Sequence, residues 1–172
     1  ETGNREWLRR NPLTIVLGNP ENNYDWQYEG TNNDLWREKK KSENDPCPYG
    51  WRVPDGAIYE NLTIAATDDA MNWTEAQPMY GWRLEDMTTG DSFFFSAAGR
   101  RNYMDGRLDN MNDDMELPVP WSGYYWTAGT DAAKATAMYF DLNSVTRTWN
   151  GFDGAHAMYR ANALPVRCVR EK

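Results

Sequence analysis

The sequence predicts an α+β fold, one helix followed by a compact antiparallel sheet with the chain ends drawn together, and three observations carry that prediction. A single stretch after Pro54 has helical spacing. From Gly81 onward the apolar residues fall in short alternating runs separated by Gly, Asn and Asp. The two cysteines, Cys47 and Cys168, lie in the first third of the chain and within its last five residues. Helix first and strands later is the order of the α+β class. The 172 residues, 40% apolar and 14% aromatic, suffice for one unit with a full core.

In chain order, Glu1, Thr2 and Gly3 read as an expression-vector remnant and are set apart from the fold. Residues 4–43 form a polar, Asn-rich lead-in packed on the domain. It is irregular except for one short strand expected at LTIVL, and its anchors include Trp7, Ile15, Val16, Leu17, Trp26, Leu35 and Trp36. The domain proper is expected over 44–172. It opens on DPCPYGWRVP, a proline-rich turn that cannot be helix interior. Asp55 is then placed as an N-cap, with Ile58, Leu62, Ala65 and Ala66 on one helix face. Strands are expected in GWRLEDM, SFFFSAAGRR, GYYWTAG, TAMYFDL, SVTRTWN and ALPVRCV. In TAMYFDL, Met138, Phe140 and Leu142 alternate with Tyr139 and Asp141, the pattern of a half-buried antiparallel strand.

Charge and composition exclude some functions. The formal net charge of −8 repels phosphate backbones and anionic headgroups, so nucleic acid is not an expected partner. No apolar run approaches the ~18 residues of a membrane span, and no signal sequence stands at the start. The expectation is a soluble, mature fragment without direct membrane insertion. With nine Trp and ten Tyr against five Phe, much ring area carries a polar edge, which suits a binding surface as well as a core. Only one intrachain cysteine pairing exists. A Cys47–Cys168 bridge would close a loop of about 120 residues and remove on the order of 4–5 kcal/mol of unfolded-state entropy. The alternative is two buried thiols. A bridge points to an oxidising compartment.

DPCPYGWRVP, SAAGRR with the following Asp105-Gly106, GYYWTAG and ALPVRCVRE occur in the order seen in the Fibrobacter succinogenes major paralogous domain, and the chain resembles that family over about 45–170. NPLTIVLG, the Asp25-Trp26 pair and the Leu35-Trp36 pair echo it more weakly. The resemblance implies a C-type-lectin-like fold, similar to the variable domains of diversity-generating retroelements and to Bacteroidetes surface and pilus-tip adhesins. It also implies the Cys47–Cys168 disulfide, and a secreted location at the bacterial outer membrane or pilus tip. Expected partners are a host or bacterial surface protein or glycan, and other domains of a larger adhesin.

No catalytic constellation is expected. His156 is the only histidine and lacks HExxH or paired-His spacing, so no metal site is assigned to it and it reads as an exposed loop residue. No serine lies in a G-x-S-x-G elbow. Formylglycine-generating enzymes share the fold class but use a pair of active-site cysteines, which here are assigned to the bridge. No cofactor is expected. The acidic segment at 105–116, with Asp105, Asp109, Asn110, Asn112, Asp113, Asp114 and Glu116, has oxygen ligands but no EF-hand order, and reads as a solvated loop. QPM at 77–79 and WNG at 149–151 lack the acids of calcium-dependent sugar motifs. NLT at Asn61 and NWT at Asn72 fit the N-glycosylation pattern.

Residues 124–160 remain as the expected ligand surface, chiefly Tyr124, Asp141, Asn143, Arg147, Trp149, Asn150, Asp153, His156 and Tyr159. Rigid aromatics among small polar residues are what paratopes use. The expected function is therefore a non-enzymatic adhesin or receptor-type module, open to diversification by a retroelement. Its alternatives are a structural pilus or envelope subunit without a free ligand site, and a glycan-active enzyme.

Overall fold

The structure is a computed structural model that describes residues 3–65, 71–72, 80–109, 122–141 and 153–171, with backbone alone for 71–72 and 153–155. Among these residues the strands form small antiparallel sheets and the helices are few and short. The lead-in carries a one-and-a-half-turn helix, α1 (Arg5–Arg10), that was not expected. The Asn4 side chain caps it by accepting the Trp7 N–H at 2.8 Å, and Glu6 and Arg10 pair across one turn. One short strand follows the cysteine turn and another lies near the chain's end: β1 (Trp51–Arg52) pairs with β11 (Val169–Arg170). Beside that pair Cys47 and Cys168 are bridged, their Cα atoms 5.8 Å apart, which decides between the bridge and the two free thiols.

Asp45 organises the turn around Cys47. Its carboxylate accepts the N–H groups of Cys47 and Val53 at 2.8 and 2.9 Å, and Lys41 Nζ approaches it at 3.2 Å. The same ammonium donates to the carbonyls of Cys47 and Trp51. Lys41, the last residue of the lead-in's REKKK run, thus helps frame the staple.

The helix expected after Asp55 is cut to a single turn, α2 (Gly56–Glu60). Asp55 stands at its N-cap position, but its carboxylate is taken by the Lys39 N–H and by both terminal nitrogens of Arg52. Leu62 does not continue the helical face. It begins β2 (Leu62–Ile64), which pairs with β4 (Gly81–Asp86) in the register Leu62 with Asp86 and Ile64 with Leu84. The residue that turns inward from α2 is Tyr59, 2% exposed, while Ile58 faces out. An available strand edge outcompetes a weak local helix here, because each laddered residue satisfies its backbone and buries a side chain together.

β4 is the centre of one sheet. β2 and β3 (Met71–Asn72) share one edge and β5 (Ser92–Ser96) takes the other. The second sheet orders β10 (Asp153–Met158), β9 (Lys134–Asp141) and β8 (Ser122–Asp131), with β9 in the middle. A third pair joins β6 (Arg100–Arg101) to β7 (Leu108–Asp109). The core lies between the first two sheets: Trp82, Leu84 and Phe95 from one face Tyr125, Met138 and Phe140 from the other, closed by Tyr59 and Leu62. The alternation read in TAMYFDL holds over its described part, with Met138 and Phe140 buried and Tyr139 and Asp141 half-buried on the opposite face. Each fully buried Leu, Met or Phe contributes roughly 1.5–3 kcal/mol relative to exposure.

Three further expectations change. LTIVL forms no strand: Val16 is buried, Leu13, Ile15 and Leu17 are exposed, and the segment is tied instead by the Gly18 N–H to the Tyr103 carbonyl. ALPVRCV is extended but only its last residue enters a strand, its course being held by single bonds such as Trp126 N–H to the Pro165 carbonyl. Gly3, set aside as a remnant, accepts the Tyr28 N–H through its carbonyl. SVTRTWN lies outside the described residues.

Candidate functional site

Tyr124 stands in β8 directly opposite Tyr139 in β9, and their rings lie 4.9 Å apart between centroids. On the far side of Tyr139 the His156 ring follows at 5.2 Å. The Tyr139 hydroxyl donates to Asp141 Oδ2 at 2.5 Å, and the backbone carbonyl of Asp141 accepts the Trp82 indole N–H at 3.2 Å. The guanidinium of Arg100 lies 5.2 Å over the Tyr124 ring, held there by two bonds from Nε and Nη2 to Asp109 Oδ2 at 2.9 and 2.6 Å. The result is a half-buried row of three rings with the arginine over the Tyr124 end, His156 at the other end, and the Asp141 carboxylate beside the middle ring.

Burial pushes the Tyr139 phenol far above the ordinary tyrosine range, and the hydrogen bond to Asp141 pushes it the same way. Burial raises Tyr124 too, partly offset by Arg100. Both phenols therefore stay protonated as hydrogen-bond donors at neutral pH. What the row offers is stacking, hydrogen bonding, the Asp141 carboxylate and a guanidinium already paired with Asp109.

Of the residues expected to form the ligand surface, the structure brings together Tyr124, Asp141 and His156. Asp153 begins β10 opposite Tyr139 in the backbone register. Asn143, Arg147, Trp149 and Asn150 lie outside the described residues. His156 is not the exposed loop residue expected: it belongs to β10 and is half-buried. Tyr159 lies in a different cluster. Its ring packs 5.1 Å from Tyr24 and 4.5 Å from Tyr103, with Lys134 Nζ 4.5 Å above it, so it ties the lead-in to the sheet. Sequence reasoning missed Tyr139 and Arg100 as members of the row. The polar side of the TAMYFDL alternation, which puts Tyr139 beside Asp141, was the available signal.

A second concave region was not expected at all. A pocket of about 360 Å³ opens between the lead-in and β8, lined by Trp26, Trp36 and Trp126 with Leu8, Ala135 and Arg160 among its other walls. Trp36 meets Trp126 edge-on at 6.3 Å and is fixed by its indole N–H to the Asn44 carbonyl. Tyr124 and Trp126, two residues apart in β8, belong to one packed cluster, so the ring row and this pocket occupy neighbouring parts of one sheet face. The lead-in tryptophans had been read only as anchors.

Among the described residues no three His, Cys, Asp or Glu side chains come together as a metal site, and no helix is long and apolar enough to cross a membrane. No family model, curated protein or solved structure matches the chain.

Proposed function

We propose that this chain is a non-enzymatic ligand-binding module of the adhesin or receptor type, built on a C-type-lectin-like fold and displayed on a bacterial surface or pilus tip. The observation that carries the reading is the ring row of Tyr124, Tyr139 and His156, with Arg100 over one end and Asp141 beside Tyr139, a polar aromatic face on the β8–β10 sheet. Rigid rings give contact area at low entropic cost, and the flanking charges set orientation. The disulfide is compatible with an extracellular location. The resemblance to the Fibrobacter paralogous family supports the same reading. Its partner is a surface protein or glycan.

The test is an array of glycans and host surface proteins probed with the purified domain. Titration of any hit follows, with Tyr124→Ala, His156→Ala and, as a control, Trp51→Ala in β1. Loss of a central aromatic anchor costs about 2 kcal/mol, roughly a 30-fold loss of affinity, with the fold retained. Folded Tyr124 and His156 variants that bind as tightly as the parent would remove the ring row from the site.

A further inference from the structure

We propose that the tryptophan pocket takes a small aromatic acid: one ring, or two fused rings, bearing a carboxylate. Its volume of about 360 Å³ lies at the low end of small-molecule pockets. The walls are set before a ligand arrives. Trp126 is 6% exposed with its backbone N–H bonded to Pro165, and Trp36 is held by Asn44 and packed against both the disulfide cluster and the β8–β10 cluster. Flat indole faces and edges in fixed positions favour a flat ligand.

The acid group follows from the balance of charge around the pocket. Arg160 lines it with a side chain only 7% exposed. Its two terminal nitrogens bond the Asn32 carbonyl, the Asn33 side chain and the Lys134 carbonyl, but its Nε–H has no acceptor among the described residues. That donor is closed to solvent, so a ligand in the pocket meets the charge of Arg160 and not this N–H. Among the described residues Arg160 pairs with one carboxylate, that of Asp25, at 3.8 Å. Arg5 and Arg9 stand exposed at the rim, whereas Asp45, the buried acid of the wall, is already occupied by Lys41 and two backbone N–H groups. Glu43 is the remaining acid, and it is exposed. An anion is therefore better received than a cation or a neutral polar ring.

This site does not depend on the ring row being functional, and the experiment keeps them apart. Indole-3-acetate, indole-3-acetamide and methyl β-D-glucopyranoside are titrated at up to about 10 mM, a range that detects binding free energies of roughly 3–4 kcal/mol. The readout is calorimetry together with the indole N–H resonances of the tryptophans. The expected result is saturable binding of the acetate, with the amide weaker by about 3-fold or more. Ala135→Phe, which fills the pocket from β9, should abolish both while keeping the unfolding midpoint at or above the parent's. Arg9→Ala should weaken the acetate by about 2- to 5-fold and leave the amide unchanged, as removal of an exposed charge does. The proposal is overturned if neither indole binds, if binding survives Ala135→Phe, if the amide binds as well as the acetate, or if only the glucoside binds. His156→Ala should bind the acetate normally, so loss of surface-ligand binding in that variant speaks to the ring row alone.

Discussion

Asp25 is fully buried, and burial pushes its carboxyl above the ordinary value of 3.8 despite N–H bonds from its own turn and the attraction of Arg160. Arg160 is shifted in the complementary sense, lowered by its own burial. A carboxyl whose folded pKa is raised binds its proton more tightly in the native state than in the unfolded one. Its contribution to stability is then complete below the unfolded value and is lost as pH rises through the folded one. Comparing urea unfolding of the parent and Asp25→Asn from about pH 7 down to about pH 3, the difference should move steadily in favour of the parent as pH falls. A difference that moves the other way would mean Asp25 is stabilised as the anion. Gly81 makes a second case at this scale. A Cβ there would run into the Phe95 carbonyl oxygen and the Phe94 ring across the β4–β5 ladder, and backbone cannot step aside cheaply. Gly81→Ala should cost about 2–3 kcal/mol in chemical unfolding, against a few tenths for an exposed glycine.

The β8–β9 hairpin turns through Ala132 and Ala133, between the paired residues Asp131 and Lys134. Ala132 has a φ of 49°, a left-handed conformation in which a side chain meets the following carbonyl. Glycine removes that clash and loses only its own entropy in return, so Ala132→Gly should raise stability by up to about 1 kcal/mol, read as a higher urea midpoint with unchanged slope. A drop in stability would show that the turn tolerates alanine without strain. The β4–β5 hairpin is tied down differently. Asn61, at the end of α2, donates to Asp86 Oδ1 at 2.6 Å and to Thr88 Oγ1 at 2.8 Å, pinning the turn that joins the two strands. The NLT pattern at Asn61 thus coincides with a half-buried side chain whose amide is committed to structure.

Across the whole molecule, the Cys47–Cys168 bridge spans 121 residues and fastens β1 to β11, next to the cluster of Val53, Ala128, Val166 and Trp36. Replacing both cysteines with alanine should lower unfolding stability by roughly 3–5 kcal/mol, the range for a closed loop of that length. An unreduced digest should recover the two cysteine peptides linked. Equal midpoints for oxidised and reduced protein would show that packing, and not the staple, holds the ends together. Trp36 belongs to both the disulfide cluster and the pocket, so the same double variant should also weaken the aromatic-acid site.

The sequence by itself determined the elements whose signal is local. Alternation over TAMYFDL specifies β9 and its two faces, because side chains in a strand point to opposite sides whatever the partner. GWRLEDM and GYYWTAG became β4 and β8 for the same reason, and the two cysteines allowed a single intrachain pairing. Tertiary structure alone decided the rest. Leu62–Ile64 is strand because β4 offers an open edge, and no spacing within residues 55–66 records that edge. His156 is half-buried in β10 because β9 pairs with it from earlier in the chain. Trp26 and Trp36 line a pocket instead of simply anchoring the lead-in because Trp126, a hundred residues after Trp26 and ninety after Trp36, forms another of its walls. Local periodicity encodes how a segment divides its faces, whereas which face meets which is set by backbone pairing and burial between residues far apart in sequence, where a short window carries no information.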